Sequence, residues 1–158
     1  MKRIVLVILM TLLVACSTNQ VWKSSPIKQA AKNNCFDTRI DPAYDQNKII
    51  GFDIKVKNNC KEDVQIIWDK TLFVYNGKTL GNFIFRNEDY KSCGKKRSAE
   101  TIKGGAVISR RIFPMELTDF DHPFTPLREG KNGVYVTVKK GLRGYHETLS
   151  LNISIQKI

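Results

Sequence analysis

The chain of 158 residues predicts an all-β fold in which two antiparallel sheets pack face to face. Apolar and polar side chains alternate with a period of two over many short segments, and turn residues separate these segments. No segment carries the apolar stripe of a convincing amphipathic helix. Alternation with one solvated face is typical of antiparallel sheets, whereas buried parallel strands are apolar throughout.

The first two predicted strands form a hairpin. Residues 36–40 alternate until Asp41-Pro42 ends the run, and residues 50–57 give the clearest strand of the chain. A turn centred near residues 46–48 would join them. The later predicted strands cover residues 64–68, 72–75, 83–85, 106–113, 134–139 and 148–156.

Turn signals divide the later strands. Asn76-Gly77 is typical of a tight hairpin turn, Gly141 and Gly144 bracket a hairpin loop, and residues 115–130 form a long connection. Seven to nine short strands in this order favour an antiparallel, immunoglobulin-like β-sandwich, with a small closed barrel as the alternative. The side chains expected in its core are Ile54, Val56, Trp68, Val136, Leu151 and Ile153.

The first fifteen residues have the pattern of a secretory signal peptide. A positive head, Met1-Lys2-Arg3, precedes an apolar run over residues 4–14. Eleven helical residues span only about 16 Å at ~1.5 Å each, which is too short to cross a membrane. A charged head, a short apolar run and small residues before the cut are the marks of an export signal.

Leu13-Val14-Ala15-Cys16 resembles the lipobox of bacterial lipoproteins. In that family the cysteine receives fatty acids such as palmitate and becomes the first mature residue, so the resemblance implies lipidation of Cys16. Ser17 lacks the aspartate that tends to hold such proteins at the inner membrane. The expected location is the outer membrane of a Gram-negative bacterium, with the domain facing the periplasm or the cell surface.

Three regions follow from these patterns. Residues 1–15 are the signal peptide, residues 16–34 are the lipid anchor and a flexible tether, and residues 35–158 are the β-sandwich domain. The tether prediction depends on the polar composition of residues 17–34, which contain Pro26 and no period-two alternation. Trp22 within this region fits contact with the lipid interface and an ordinary position in the tether equally well.

Positive charge is concentrated in the second half of the chain. Residues 16–90 carry net +2, whereas residues 91–158 carry net +7. Because export separates the protein from nucleic acid, the expected partners are anionic lipid, lipopolysaccharide or an acidic envelope protein. A candidate cationic patch combines residues from two loops, namely Lys95, Lys96, Arg97, Lys139, Lys140 and Arg143. The two loops share one end of the sandwich in some strand arrangements and not in others.

Three cysteines remain after Cys16 is acylated, and disulfides persist in an oxidising compartment. Cys35–Cys60 is the favoured pair and Cys60–Cys93 the next. Alternation places Cys35 outward and Cys60 inward, so the favoured pair requires a bulge or a Cys60 beyond the strand end. Cys93, in a basic loop, is then a candidate free thiol.

No residue pattern predicts catalysis or a cofactor. His122 lies near Asp119 and Asp121, but a metal site there is a weak hypothesis compared with an ordinary loop. No nucleophile–base set or metal set can be assembled, so an enzyme is disfavoured. Trp68 follows two inward positions of its strand and is expected to pack in the core rather than bind a ligand.

Strand and turn patterns recur at residues 52–59, 67–70, 73–78 and 112–114 and in the basic, alternating C-terminal strands. Together these segments resemble small bacterial outer-membrane lipoproteins, including examples from Campylobacter. The resemblance implies an immunoglobulin-like sandwich behind a lipid anchor, and the family brings no agreed activity. We therefore expect a non-enzymatic binding module; the alternative is a structural or assembly component of an envelope secretion or conjugation complex.

Overall fold

The structure, a computed structural model, describes residues 20–86, 97–118 and 125–157. Within these ranges the chain forms twelve strands and two short 3-10 turns, so the all-β prediction is confirmed. The strands are β1 Gln20–Ser25, β2 Gln29–Lys32, β3 Phe36–Asp45, β4 Lys48–Asn58, β5 Val64–Ile66, β6 Leu72–Tyr75, β7 Lys78–Gly81, β8 Phe83–Phe85, β9 Glu100–Ile102, β10 Val107–Pro114, β11 Gly130–Lys140 and β12 Arg143–Lys157.

The strands form two antiparallel sheets. Sheet A has the order β1-β12-β11-β5-β9, with β6 also paired to β11 and β7 paired to β6; sheet B has the order β2-β3-β4-β10-β8. The series β3-β4-β10-β8 and β12-β11-β6 reproduce the A-B-E-D and G-F-C series of an immunoglobulin-like sandwich. The closed-barrel alternative is therefore wrong.

The tether prediction is wrong for residues 20–34. Strand β1 pairs with β12 from Gln20↔Lys157 to Ser25↔Asn152, and β2 pairs with β3. Trp22 is 7% exposed and its Nε1 donates a hydrogen bond to the Leu127 carbonyl at 3.0 Å. The alternation was hidden because Trp22 is the only buried side chain of β1, which forms the edge of sheet A.

The predicted number of seven to nine strands is too low, since the described residues form twelve, and short edge strands account for most of the difference that β1 and β2 leave. Strands β7 and β9 have only four and three residues and lie at the edges of sheet A. Strand β3 also continues through Asp41-Pro42 to Asp45. Since β2 covers β3 only as far as Ile40, Pro42 lies on an open edge, where a missing N–H is tolerated.

The core lies between the two sheets. All six side chains expected there are at most 4% exposed, which confirms that prediction. Phe52 of β4, Phe73 of β6 and Phe83 of β8 pack with ring centroids 6.1–6.4 Å apart and so join the sheets. Trp68 lies in a 3-10 turn after β5, not in a strand, and still packs its ring inward.

Candidate functional site

The longest hairpin of the fold carries three residues of the candidate patch. Strands β11 and β12 pair continuously from Gly130↔Ile153 to Lys140↔Arg143, so the turn holds only Gly141 and Leu142. Gly141 has a φ of 55°, a left-handed conformation that a residue without Cβ adopts without strain. Leu142 is 98% exposed, which places a bare apolar side chain at the tip.

Two other loops meet the hairpin at the same end of the molecule. The Nζ of Lys140 lies 2.9 Å from Glu62 Oε2, and the Nζ of Lys103 lies 2.7 Å from Asp63 Oδ2. A Cβ on Gly104 would come within 2.4 Å of the Lys61 carbonyl oxygen, so the two loops are in close contact. We call this surface the hairpin end; it comprises Lys61, Glu62, Asp63, Lys103, Lys139, Lys140, Leu142 and Arg143.

The hairpin end has a positive net charge. Five basic side chains face two acidic ones, and each carboxylate already pairs with a lysine. A shallow cavity of about 440 Å³ lies beside the tip and is lined in part by Asp63, Lys103 and Lys139. This arrangement can attract an anionic group through the cations that remain, and it offers no nucleophile paired with a base.

The Cys35–Cys60 disulfide fixes the base of this surface, and the favoured pairing is confirmed. Cys60 lies beyond the end of β4, where its N–H and that of Asn59 donate to the Cys35 carbonyl oxygen. Cys35 precedes β3 and is only 7% exposed, so its predicted outward orientation is wrong. The disulfide holds the loop of residues 60–63 against the start of strand β3 in sheet B.

Asn58 is a positioning residue that the sequence pattern presented only as part of a turn. It is fully buried, its Nδ2 donates to the carbonyls of Glu62 and Ile102 at 2.8 and 2.9 Å, and its Oδ1 accepts from the Cys60 N–H at 2.9 Å. One side chain thus holds β4, β9 and the acidic loop together. The one signal available in the sequence was that Asn58 lies two residues after Val56, in phase with the inward side chains of β4.

Arg97 lies at the other end of β5, so the patch does not form as one surface. Its backbone N–H donates to the Asp69 carboxylate and its guanidinium lies 4.8 Å from the Phe85 ring centroid. Asp69 follows β5, whereas Glu62 at the hairpin end precedes it. A single cationic surface including both Arg97 and the hairpin loop is therefore contradicted.

The remaining predicted site residues fall outside the described ranges. These are Cys16, Cys93, Lys95, Lys96 and the segment with Asp119, Asp121 and His122. Within the described ranges, no cluster of three or more His, Cys, Asp or Glu side chains could hold a metal ion. In those ranges no helix is long and apolar enough to span a membrane.

A second surface hollow, of about 400 Å³, lies next to Arg97. The indole Nε1 of Trp68 donates to Glu100 at 3.2 Å, and the same carboxylate pairs with Arg110. The Trp68 and Phe85 rings meet edge to face at 4.8 Å. Because these groups already bind one another, Trp68 acts as a packed core residue, as expected from the sequence.

The outer face of sheet B carries ordered ion pairs. Arg39 binds Asp41 and Arg111 binds Asp53 through paired hydrogen bonds of 2.7–2.8 Å. Hydrogen bonding to these carboxylates raises the pKa of both arginines above its ordinary value. These four charges are therefore mutually satisfied, unlike several at the hairpin end.

The chain enters the domain at the end opposite to the hairpin tip. Gln20 pairs with Lys157, at the far end of the 15-residue strand β12, whereas the tip precedes Arg143. At ~3.3 Å per residue, about 45 Å separates the two ends of this strand. The entry point and the hairpin end are thus the two ends of the molecule.

Comparisons with known proteins show no close relative. No protein-family model matches the chain, and no curated protein matches it significantly. The chain is similar to one solved structure, a protein from Archaeoglobus fulgidus, at 11% identity and a TM-score of 0.35, covering 90% of this chain and 95% of the other. That TM-score is too low to support any conclusion about function.

Proposed function

We propose that this protein is a lipid-anchored lipoprotein of a Gram-negative outer membrane that acts as a non-enzymatic binding module. In this proposal Cys16 carries the lipid, and the hairpin end binds an anionic surface or an acidic envelope protein. The position of the two ends carries the argument: the chain enters at Gln20, and the cationic hairpin end lies at the other end of β12.

Chain geometry adds a limit on the distance from the membrane. Four residue steps join Cys16 to Gln20, so at most about 14 Å separates the lipid from the domain at ~3.6 Å per step. An anchored domain with so short a connection remains close to its bilayer at β1. Its hairpin end, about 45 Å along β12, is then available to a partner away from that bilayer.

The anchor is tested by the variant Cys16→Ser. We expect the wild-type protein to fractionate with the outer membrane, and the variant to be released or to remain unprocessed, because stable anchoring requires the acyl chains. A matched control is Cys93→Ser, which should fractionate like the wild type. A Cys16→Ser protein that remains fully in the outer membrane would contradict the proposal.

The same two-ended geometry also suits a spacer within an envelope complex. Affinity purification from detergent-solubilised envelopes separates the two functions. A stoichiometric set of envelope proteins that persists in high salt favours the assembly component, whereas a salt-sensitive anionic ligand favours the binding module.

A further inference from the structure

Leu142 is the most exposed large apolar side chain of the described residues. It is 98% exposed, compared with 78% for Ile27 and 54% for Val107. Its place at the two-residue tip of a hairpin means that no neighbouring strand covers it. An apolar side chain that is almost fully exposed at a hairpin tip is suited to enter another apolar phase.

Cations surround this leucine. Lys139, Lys140 and Arg143 flank it in the hairpin, and Lys61 and Lys103 lie on the adjoining loops. Lys140 and Lys103 pair with Glu62 and Asp63, whereas Lys61, Lys139 and Arg143 form no ion pair within the described part of the chain. The tip thus presents one apolar group among three uncompensated positive charges.

We propose that the hairpin tip inserts into the surface of an anionic phospholipid bilayer other than the one that holds Cys16. Leu142 enters below the headgroups, while the ammonium and guanidinium groups remain at the level of the phosphates. A bilayer accepts a single leucine without a shaped pocket, and its charge complements that of the tip. The second bilayer follows from the 45 Å estimate along β12, and this part rests on the proposed function.

Vesicle capture tests the proposal with the complete lipidated protein. The protein, purified in detergent, is incorporated into phosphatidylcholine vesicles, which are then mixed with dye-labelled vesicles containing phosphatidylglycerol. We expect capture of these anionic vesicles, no capture of labelled phosphatidylcholine vesicles, and loss of capture in about 0.5 M salt because the attraction is screened.

Variants locate the contact. Leu142→Ser should weaken capture about tenfold or more, because the inserted apolar group is lost. The pair Lys139→Ser and Arg143→Ser should weaken it about 25-fold, at roughly fivefold per charge. The matched controls, Ile27→Ser for an exposed apolar residue and Lys78→Ser with Lys131→Ser for exposed cations, should capture vesicles like the wild type.

A tryptophan at the tip reports insertion directly. In a Leu142→Trp protein, the added fluorescence should shift to shorter wavelength when anionic vesicles are captured. Capture that survives Leu142→Ser but not the charge substitutions indicates a purely ionic contact, such as an acidic protein would make, and overturns insertion. Capture that is insensitive to all of these substitutions, or a tryptophan without a shift, also overturns it.

Flotation of the first vesicles separates this proposal from the proposed function. Protein that fails to float with phosphatidylcholine vesicles has no working anchor, which overturns the proposed function. Protein that floats but captures no second vesicle overturns the inference alone. The Leu142→Trp protein is also incorporated into vesicles that themselves contain phosphatidylglycerol. A fluorescence shift there, without capture of a second vesicle, shows that the tip inserts into its own bilayer and overturns the second-bilayer assignment.

Discussion

Asn58 shows how a single buried polar side chain sets the shape of the hairpin end. Its three hydrogen bonds reach Cys60, Glu62 and Ile102, and it is fully buried. The disulfide fixes the same loop covalently from the side of Cys35. The acidic loop that pairs with Lys140 and Lys103 is therefore held from two directions.

Replacing Asn58 by alanine should lower the free energy of unfolding by about 2–4 kcal/mol, because it removes the side-chain donor to the Glu62 and Ile102 carbonyls and one of the two acceptors of the Cys60 N–H. The measurement is chemical denaturation of the purified domain followed by tryptophan fluorescence. Asn59→Ala is the matched control, since Asn59 is the exposed neighbour and should change stability by less than about 0.5 kcal/mol. Equal stability of the two variants would show that the Asn58 network contributes nothing.

At the scale of the element, β1 decides where the domain begins. It pairs with β12 over its whole length and places Trp22 in the core. The backbone N–H of Trp22 also donates to the Asn47 carbonyl at 2.9 Å, which ties β1 to the turn between β3 and β4. Residues 20–25 are thus part of the sandwich, and only three residues of the sequence separate Cys16 from β1.

Trp22→Ala tests this integration. We expect a loss of about 3–5 kcal/mol in the free energy of unfolding, because a large buried ring is removed and the Leu127 carbonyl loses its donor. Lys23→Ala, at the exposed neighbouring position, is the control and should melt like the wild type. If Trp22→Ala also melted at the wild-type temperature, residues 20–25 would be a tether after all.

At the scale of the whole molecule, the separation of the two ends is the property that matters for function. Continuous pairing of β12 with β11 and β1 makes this strand a rigid axis between Arg143 and Lys157. The entry point at Gln20 and the hairpin end therefore cannot approach one another without breaking the sheet. Any partner of the hairpin end is held at a set distance from the entry point.

Spin labels at the two ends measure this distance. Arg143→Cys and Lys157→Cys, in a background with Cys16→Ser and Cys93→Ser, should give a distribution centred at about 45 Å by pulsed electron paramagnetic resonance, following ~3.3 Å per residue. The distribution should be narrow because both labels lie on one paired strand. A centre below about 30 Å would mean that β12 bends back, on the same ~3.3 Å scale.

Period-two alternation was enough to predict the all-β class, the main strands and the six buried side chains. This pattern depends only on whether each residue faces the core or solvent, and a long, half-buried strand displays it directly. The Cys35–Cys60 pair was also favoured in advance, because two successive strands bring their open ends together. The signal and lipobox patterns remain predictions about residues 1–16, outside the described ranges.

Only the tertiary structure decided the edges and the ends of the sandwich. Strands β1, β2, β7 and β9 bury few side chains, so their residues carry little local alternation, and only their partners make them strands. The division of Arg97 from the hairpin loop, and the position of Gln20 opposite Leu142, depend on which strands pair over long sequence separations. Local sequence specifies which face of a strand is apolar, whereas the neighbours of that strand are selected by packing across the whole core.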